Sequence, residues 1–261
     1  MSTTEVLFQQ DGPIGRITFQ TDDGVNLMST PVMAALESRL EDIKCNHCNV
    51  RVLIFTGAGK TFIAGADIRE MDRAPGDAGK AFSQRGQRFM TTLSRFEQAV
   101  TIAAINGPAL GGGCELALAC DLRVMAKEAT IGFPEVKLGL MPGWGGTQRA
   151  FAMMGPAKAR RMIFVGEALS GDVASEAELV NESVPLAELM PTVDAMASRI
   201  LQNGPAAVRL AKRVVSSTEQ HWLERGMLSE AEAFGEAFIG EESREGLRAF
   251  IEKRKPAWSA G

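Results

Sequence analysis

The chain has 261 residues, 45% hydrophobic and 23% charged, which is the composition of an ordinary globular protein with room for a sizeable core. A net charge of -4 argues against a general nucleic-acid or anionic-membrane binder, and no run approaches the roughly 18 to 20 apolar residues of a membrane span. The start, MSTTEVLFQQDG, has neither the basic-then-apolar form of a secretory signal nor an Arg-rich transit pattern, so a cytoplasmic enzyme is expected.

In chain order, EVLFQQDGPIGRITFQT alternates as two short strands around an Asp-Gly-Pro turn. TPVMAALESRLEDIKC has helical spacing, with Val32, Leu36, Leu40 and Ile43 on one side and Thr30 as the expected N-cap. VRVLIFTGAG is a continuous apolar strand, the pattern of a sheet covered on both faces. A Gly- and Ala-rich loop, GAGKTFIAGADIREM, leads to a helix predicted from about Gly79 to Phe96. VTIAAINGPAL is a second buried strand, and three glycines then open a short helix running to Cys120. DLRVMAKEATIGFPEV predicts two more short strands. From about Gly146 the pattern is almost wholly helical, with amphipathic stretches PAKARRMIFVG, LMPTVDAMASRILQ, PAAVRLAKRVVSSTE and EAEAFGEAFIGEESREGLRAFIEKRK. The chain thus reads as an α/β core over 1–195 and a helical C-terminal region over 196–261.

Cysteine is sparse. Cys45 and Cys48 form a lone C-x-x-C around His47, without the further ligands a zinc site needs, so surface thiols at a helix end are expected and no metal site is assigned. Tyrosine is absent, which removes any mechanism that needs a phenol.

The chemistry centres on GPALGGGCELALACD. Three glycines, each about 1 kcal/mol worse than alanine inside a helix, stand before Glu115, an acid among apolar neighbours. Glu135 follows Phe133-Pro134 in IGFPEVKLGLMPGWGGTQR, and a helix–strand–turn path can return it to Glu115. Two carboxyls around one small site suit acid–base work, because repulsion and burial split their pKa values. The glycine turn, and a second small-residue turn in AGAD at 64–67, can each aim a backbone N–H at a carbonyl oxygen. Plainer readings stand beside these: GGG as a close-packing turn, Glu115 as a paired or solvent-facing acid, PGWGG as a loop before a helix.

FIAGADIREM (62–71), INGPALGGGCELALACDLRV (105–124), IGFPEVKLGLMPGWGGTQR (131–149) and SREGLRAFIEKRKP (243–256) together resemble the crotonase, or enoyl-CoA hydratase, superfamily, in order over nearly the whole chain. The resemblance implies a crotonase-like spiral of ββα units and acyl-CoA thioester substrates. It also implies no cofactor beyond the coenzyme A of the substrate, and homotrimers or dimers of trimers joined through the helical C-terminal region. By that resemblance, the oxyanion donors fall on the backbone N–H groups of Ala66 and Gly112, and the hydratase glutamates on Glu115 and Glu135. Ala64, Asp67, Ile68 and Arg69 match the coenzyme A path, and Gly143 a backbone position near the catalytic water.

Both glutamates favour hydration over the superfamily's isomerases. His47 and His221 lie outside the matching motifs, and no tyrosine is present, which separates the chain from dehalogenating and naphthoate-forming members. Other crotonase-type activities, such as an isomerase, a thioester hydrolase or a hydratase of a cyclic dienoyl-CoA, remain as alternatives, as do non-catalytic RNA-binding or acyl-CoA-binding roles. Trp144 in PGWGG stands where many hydratases have a smaller residue, and either reshapes the acyl pocket or packs under the loop. Arg69, Lys253, Arg254 and Lys255 are candidate partners for the coenzyme A phosphates.

Overall fold

β1 (Glu5–Asp11) and β2 (Ile14–Gln20) form the expected antiparallel hairpin, with Asp11 opposite Ile14 at the turn. In this computed structural model, which describes residues 3–258 without the side chains of 219–222 (His221 among them), β2 then begins a parallel run. It pairs with β3 (Val52–Gly57), followed by β4 (Val100–Ile105), β6 (Leu122–Ala126) and β9 (Glu182–Val184). A smaller sheet holds β5 (Ala109–Leu110), β7 (Thr130–Gly132) and β8 (Ala168–Ser170) in that order.

The period-2 alternation of strands explains why the central segments are apolar throughout. Leu53, Phe55, Ala103, Ile105 and Met125 face one core, which includes Leu36, Leu40 and Ile43 of α1 (Thr30–Asn46) and Phe89 and Leu93 of α3 (Gly79–Ser94). The intervening residues Val52, Ile54, Ile102, Ala104 and Val124 face Leu189, Val193 and Ala197 of α7 (Leu186–Leu201). Residue 195 lies inside α7, so the helix that seals this face crosses from the core segment into the C-terminal one.

The connections repeat a unit of one strand in the large sheet, one short strand in the small sheet, and a helix. β4 and β5 lead into α4 (Gly112–Ala119), and β6 and β7 lead toward α5 (Gly146–Val165). After β3, an isolated bridge from Ile63 to Ala109 extends the small sheet before α2 (Ile68–Arg73) and α3. This is the α/β spiral of ββα units with a helical C-terminal region that was expected.

Several local expectations change. The N-cap of α1 is Ser29, not Thr30: Ser29 is extended (φ -110°, ψ 169°) and its side chain accepts from Val32 N, while Thr30 is already helical ahead of Pro31. VTIAAINGPAL is two strands in different sheets, β4 and β5, rather than one. Beyond Gly146 the chain is less uniformly helical than its pattern, because β8, α6 (Gly171–Glu176) and β9 are only three to six residues long. α8 (Pro205–Ile239) is continuous, and the last amphipathic stretch breaks at Gly240 before α9 (Glu241–Ile251). Ser243 Oγ donates to Phe238 O at 2.8 Å and Gly240 O at 3.0 Å, which holds the bend.

That bend returns α9 to the core. Leu247 joins Phe234, Phe238, Met71 and Leu140 in one apolar cluster, and Gly246 lies so close to Leu138 O that a Cβ there would approach within 2.3 Å. Cys45 and Cys48 are free and exposed at the end of α1. No helix among the described residues is long and apolar enough to cross a membrane.

Candidate active site

The three glycines have three separate local causes. Gly111 caps α4 at φ 50°, ψ -119°, a conformation L side chains rarely adopt, and a Cβ there would lie 2.6 Å from Glu135 Oε1. At Gly112 a Cβ would meet the Trp144 ring at 2.2 Å, and at Gly113 it would meet Ile63 O at 2.1 Å. The turn is therefore closely packed, and it also carries chemistry. Gly112 is the first residue of α4, so its N–H has no intrahelical acceptor, and no other described residue accepts from it.

The second turn reaches the same place through an edge interaction. Met28 bridges Ala66, with Met28 N donating to Gly65 O at 2.8 Å and Asp67 N donating to Met28 O at 3.0 Å. This pairing uses the Gly65 carbonyl and the Asp67 N–H and leaves the Ala66 N–H without an acceptor among the described residues. Leu110 N donates to Ile63 O at 3.0 Å, which ties the two turns together.

Both turns line one cavity of about 750 Å³. All nine residues singled out from the sequence border it: Ala64, Ala66, Asp67, Ile68, Arg69, Gly112, Glu115, Glu135 and Gly143. Asp67 also caps α2, accepting from Arg69 N at 3.0 Å, which leaves the exposed Arg69 side chain at the rim. Lys253 and Arg254 border the cavity too, whereas Lys255 does not. Arg254 is engaged by Glu245 and Glu252 at 2.5 and 2.6 Å. Lys137, which the sequence reading did not single out, supplies another cation at the border.

Glu115 is 2% exposed on α4, and its Oε1 accepts from Trp144 N at 2.6 Å and Gly146 N at 2.9 Å. Burial pushes its carboxyl well above the ordinary range, the charges of Glu230 and Glu135 act in the same direction, and the two N–H donors oppose them. Glu135 begins the 3-10 turn Glu135–Leu138 directly after β7, so the helix–strand–turn path does return the second acid to the first. Its Oε2 is buried with no hydrogen-bond partner among the described residues. Burial pushes Glu135 up to about 8, opposed by its own backbone N–H and aided by Glu230.

Glu230 on α8 is a buried acid that sequence reasoning missed. It is 2% exposed and raised by burial against the pull of its hydrogen bonds. A signal was present: buried Leu223, Met227, Ala231, Phe234 and Phe238 form a helical stripe, and Glu230 lies within it, three residues after Met227 and four before Phe234. Three carboxyls in one enclosed region titrate as a set. Donors converge on Glu115 and Glu230, while Glu135 Oε2 receives none, so Glu135 is the natural site for the proton that the set retains near neutral pH.

Trp144 packs under the loop, the second of the two readings, and also borders the cavity. It is 2% exposed beneath the turn, against Gly86 and Gly112. Its ring lies 5.4 Å from that of Phe82, which stacks at 6.1 Å on Phe234, so aromatic carbon closes that side.

The chain matches the enoyl-CoA hydratase/isomerase family over residues 9–261. It is 44% identical to crotonyl-CoA hydratase of Syntrophomonas wolfei, with 98% of each chain covered. It is 38% identical to short-chain-enoyl-CoA hydratase of Clostridium acetobutylicum, covering 98% of this chain and 97% of that protein. The crystal structure of enoyl-CoA hydratase from Bacillus anthracis superposes with a TM-score of 0.78 at 35% identity, covering 97% of this chain and 98% of that one.

Proposed function

The chain belongs to the enoyl-CoA hydratase/isomerase family and is an enoyl-CoA hydratase, a hydro-lyase, and we propose that Glu115 and Glu135 carry its reaction between the N–H groups of Ala66 and Gly112. The observation that carries this reading is the pairing of two carboxyls in unlike surroundings beside two uncommitted amides, all on one apolar cavity.

Water adds reversibly and syn across a trans-2-enoyl-CoA to give a 3-hydroxyacyl-CoA. Glu115, held by two N–H donors, takes a proton from the water as its oxygen attacks C3. Glu135, carrying a proton, delivers it to C2, and dehydration reverses both roles. Between these events negative charge gathers on the thioester oxygen, and the Ala66 and Gly112 N–H groups stabilise it; one such donor contributes about 2.7 to 4 kcal/mol. Water's elements are added without net electron transfer, so no redox cofactor is required. The coenzyme A arm follows Ala64, Asp67, Ile68 and Arg69, with Arg69, Lys137 and Lys253 near its phosphates. Gly143 borders the water position.

Trp144, Phe82 and Phe234 form the end wall of the acyl pocket, which supports a short acyl group, in keeping with the names of the Clostridium and Syntrophomonas relatives. Exposed Phe151, Phe164 and Val165 on α5 and Leu210, Val214 and Val215 on α8 support self-association, which we read as trimers or dimers of trimers, to be checked by sedimentation.

Purified Glu115→Gln and Glu135→Gln variants are each expected to lose crotonyl-CoA hydration while still binding coenzyme A esters. Near-normal turnover by either variant would rule out the two-glutamate scheme.

A further inference from the structure

Four consecutive backbone amides alternate between two buried carboxylates that arrive from different elements. Trp144 N and Gly146 N donate to Glu115 Oε1 from α4. Gly145 N donates to Glu230 Oε1 at 2.6 Å, and Thr147 N to Glu230 Oε2 at 3.2 Å, from α8. Gly145 is left-handed at φ 96°, which helps turn successive amides to opposite sides as α5 begins. The two acids therefore occupy the helix N-terminus together, where anions are favoured.

Glu230 is further held by Gln87 Nε2 at 3.1 Å and by the Thr147 hydroxyl. That hydroxyl receives Gln148 Nε2 at 3.0 Å, which directs its own hydrogen to Glu230. Every polar neighbour of Glu230 in this network is thus a donor, the arrangement an ionised carboxylate requires. The charged groups whose fields couple with it are Glu115 from α4 and Glu135 from the 3-10 turn, and Arg149 of α5 donates from Nη1 to Trp144 O of the same turn at 3.3 Å. α3 faces it with neutral Gln87, while Lys80 of α3 pairs with Glu232 on the exposed side of α8.

We propose that Glu230 is a positioning residue for hydration: as a carboxylate it fixes the 144–147 turn that holds Glu115, and its charge acts on both Glu115 and Glu135. It acts through the turn and through its field, touching neither water nor substrate. Without it, the amides of Gly145 and Thr147 lose their acceptor, and Trp144 and Gly146 lose the geometry that sets Glu115. The removal of one negative charge also makes Glu135 ionise more readily, so the acid is lost at a lower pH.

The proposal rests on the roles given above to Glu115 and Glu135, and the test separates the two. Full-length Glu230→Gln and Glu230→Asp are compared with the parent for crotonyl-CoA hydration across pH 5 to 10, alongside Glu115→Gln and Glu135→Gln. Glu230→Gln keeps size but presents an NH2 where donors converge. It is expected to lower kcat roughly 10- to 100-fold with KM nearly unchanged, by analogy with the loss on removing a partner that orients a metal ligand. Its alkaline limb is expected to move down by about half to one pH unit. Glu230→Asp restores the charge at shorter reach, so the limb returns to its parental position while kcat recovers only in part. Parental kcat and pH limbs in Glu230→Gln overturn the proposal, as does lowered thermal stability with kcat reduced but both limbs in place, which marks a merely structural role. If Glu115→Gln or Glu135→Gln is active, the two-glutamate reading fails first and for its own reason.

Discussion

Replacing Glu135 with Gln tests the protonated acid through stability rather than rate. In the folded protein burial raises the Glu135 carboxyl from 4.5 to about 8. Between those values the native state binds a proton that the unfolded chain has released. Stability from this group is thus fully present below about 4.5 and is lost as pH rises through about 8. Integrated over that window, the loss is at most about 5 kcal/mol, from 1.36 kcal/mol for each pH step. Glutamine does not titrate, and near pH 4.5 it replaces one neutral group with another of similar shape. Glu115 and Glu230 titrate with Glu135 as a set, so the difference reports the proton taken up by the set, with about 5 kcal/mol as its upper bound. The variant is expected to match the parent in acid and to become progressively more stable than it toward pH 9, while losing catalysis. Urea unfolding of both proteins at fixed concentration, at pH 5 through 9, gives the difference directly. A stability difference that does not change with pH, or that favours the parent in alkali, would refute a buried, proton-bearing Glu135.

Gly112→Ala places a Cβ 2.2 Å from Trp144 Cζ3 and 2.8 Å from Cε3, disturbing both the oxyanion donor and the turn that holds Glu115. A kcat loss of about 10²- to 10³-fold is expected, partly relieved in a Gly112→Ala/Trp144→Ala double variant; equal rates for Gly112→Ala and parent would contradict the tight packing. Trp144→Ala opens the end wall, at a stability cost of about 3 to 5 kcal/mol. Longer enoyl-CoA esters should then gain on crotonyl-CoA by roughly fourfold in kcat/KM per added methylene, from about 0.8 kcal/mol each. Unchanged ratios among butenoyl, hexenoyl and octenoyl esters would remove Trp144 from the acyl pocket.

Much of the site was legible because its signals are local. Gly111 to Gly113 stand out against helix propensity, Glu115 stands out against its apolar neighbours, and the strands between Glu115 and Glu135 show their own patterns. The strands β8 and β9 were not legible, since three residues are too few to show a period and their pairing with β7 and β6 is what makes them strands. The continuity of α8 and its break at Gly240 were misread because amphipathic spacing persists across that residue, and only the bend fixed by Ser243 shows where the axis turns.

The sequence by itself determined the covered parallel strands and the two small-residue turns, because backbone sterics and hydrophobic periodicity act over a few residues, while the two acids were singled out as the hydratase pair by the family resemblance. Tertiary structure decided which amides the turns leave uncommitted, which acid takes two N–H donors and which keeps one oxygen without any among the described residues, and that a third carboxylate from α8 shares the 144–147 turn with Glu115. The physical reason is that a carboxyl's charge state depends on burial and on the donors around it. For Glu230 those donors come from Gly145, Thr147 and Gln87, remote in the chain and adjacent only once α3, α5 and α8 have packed.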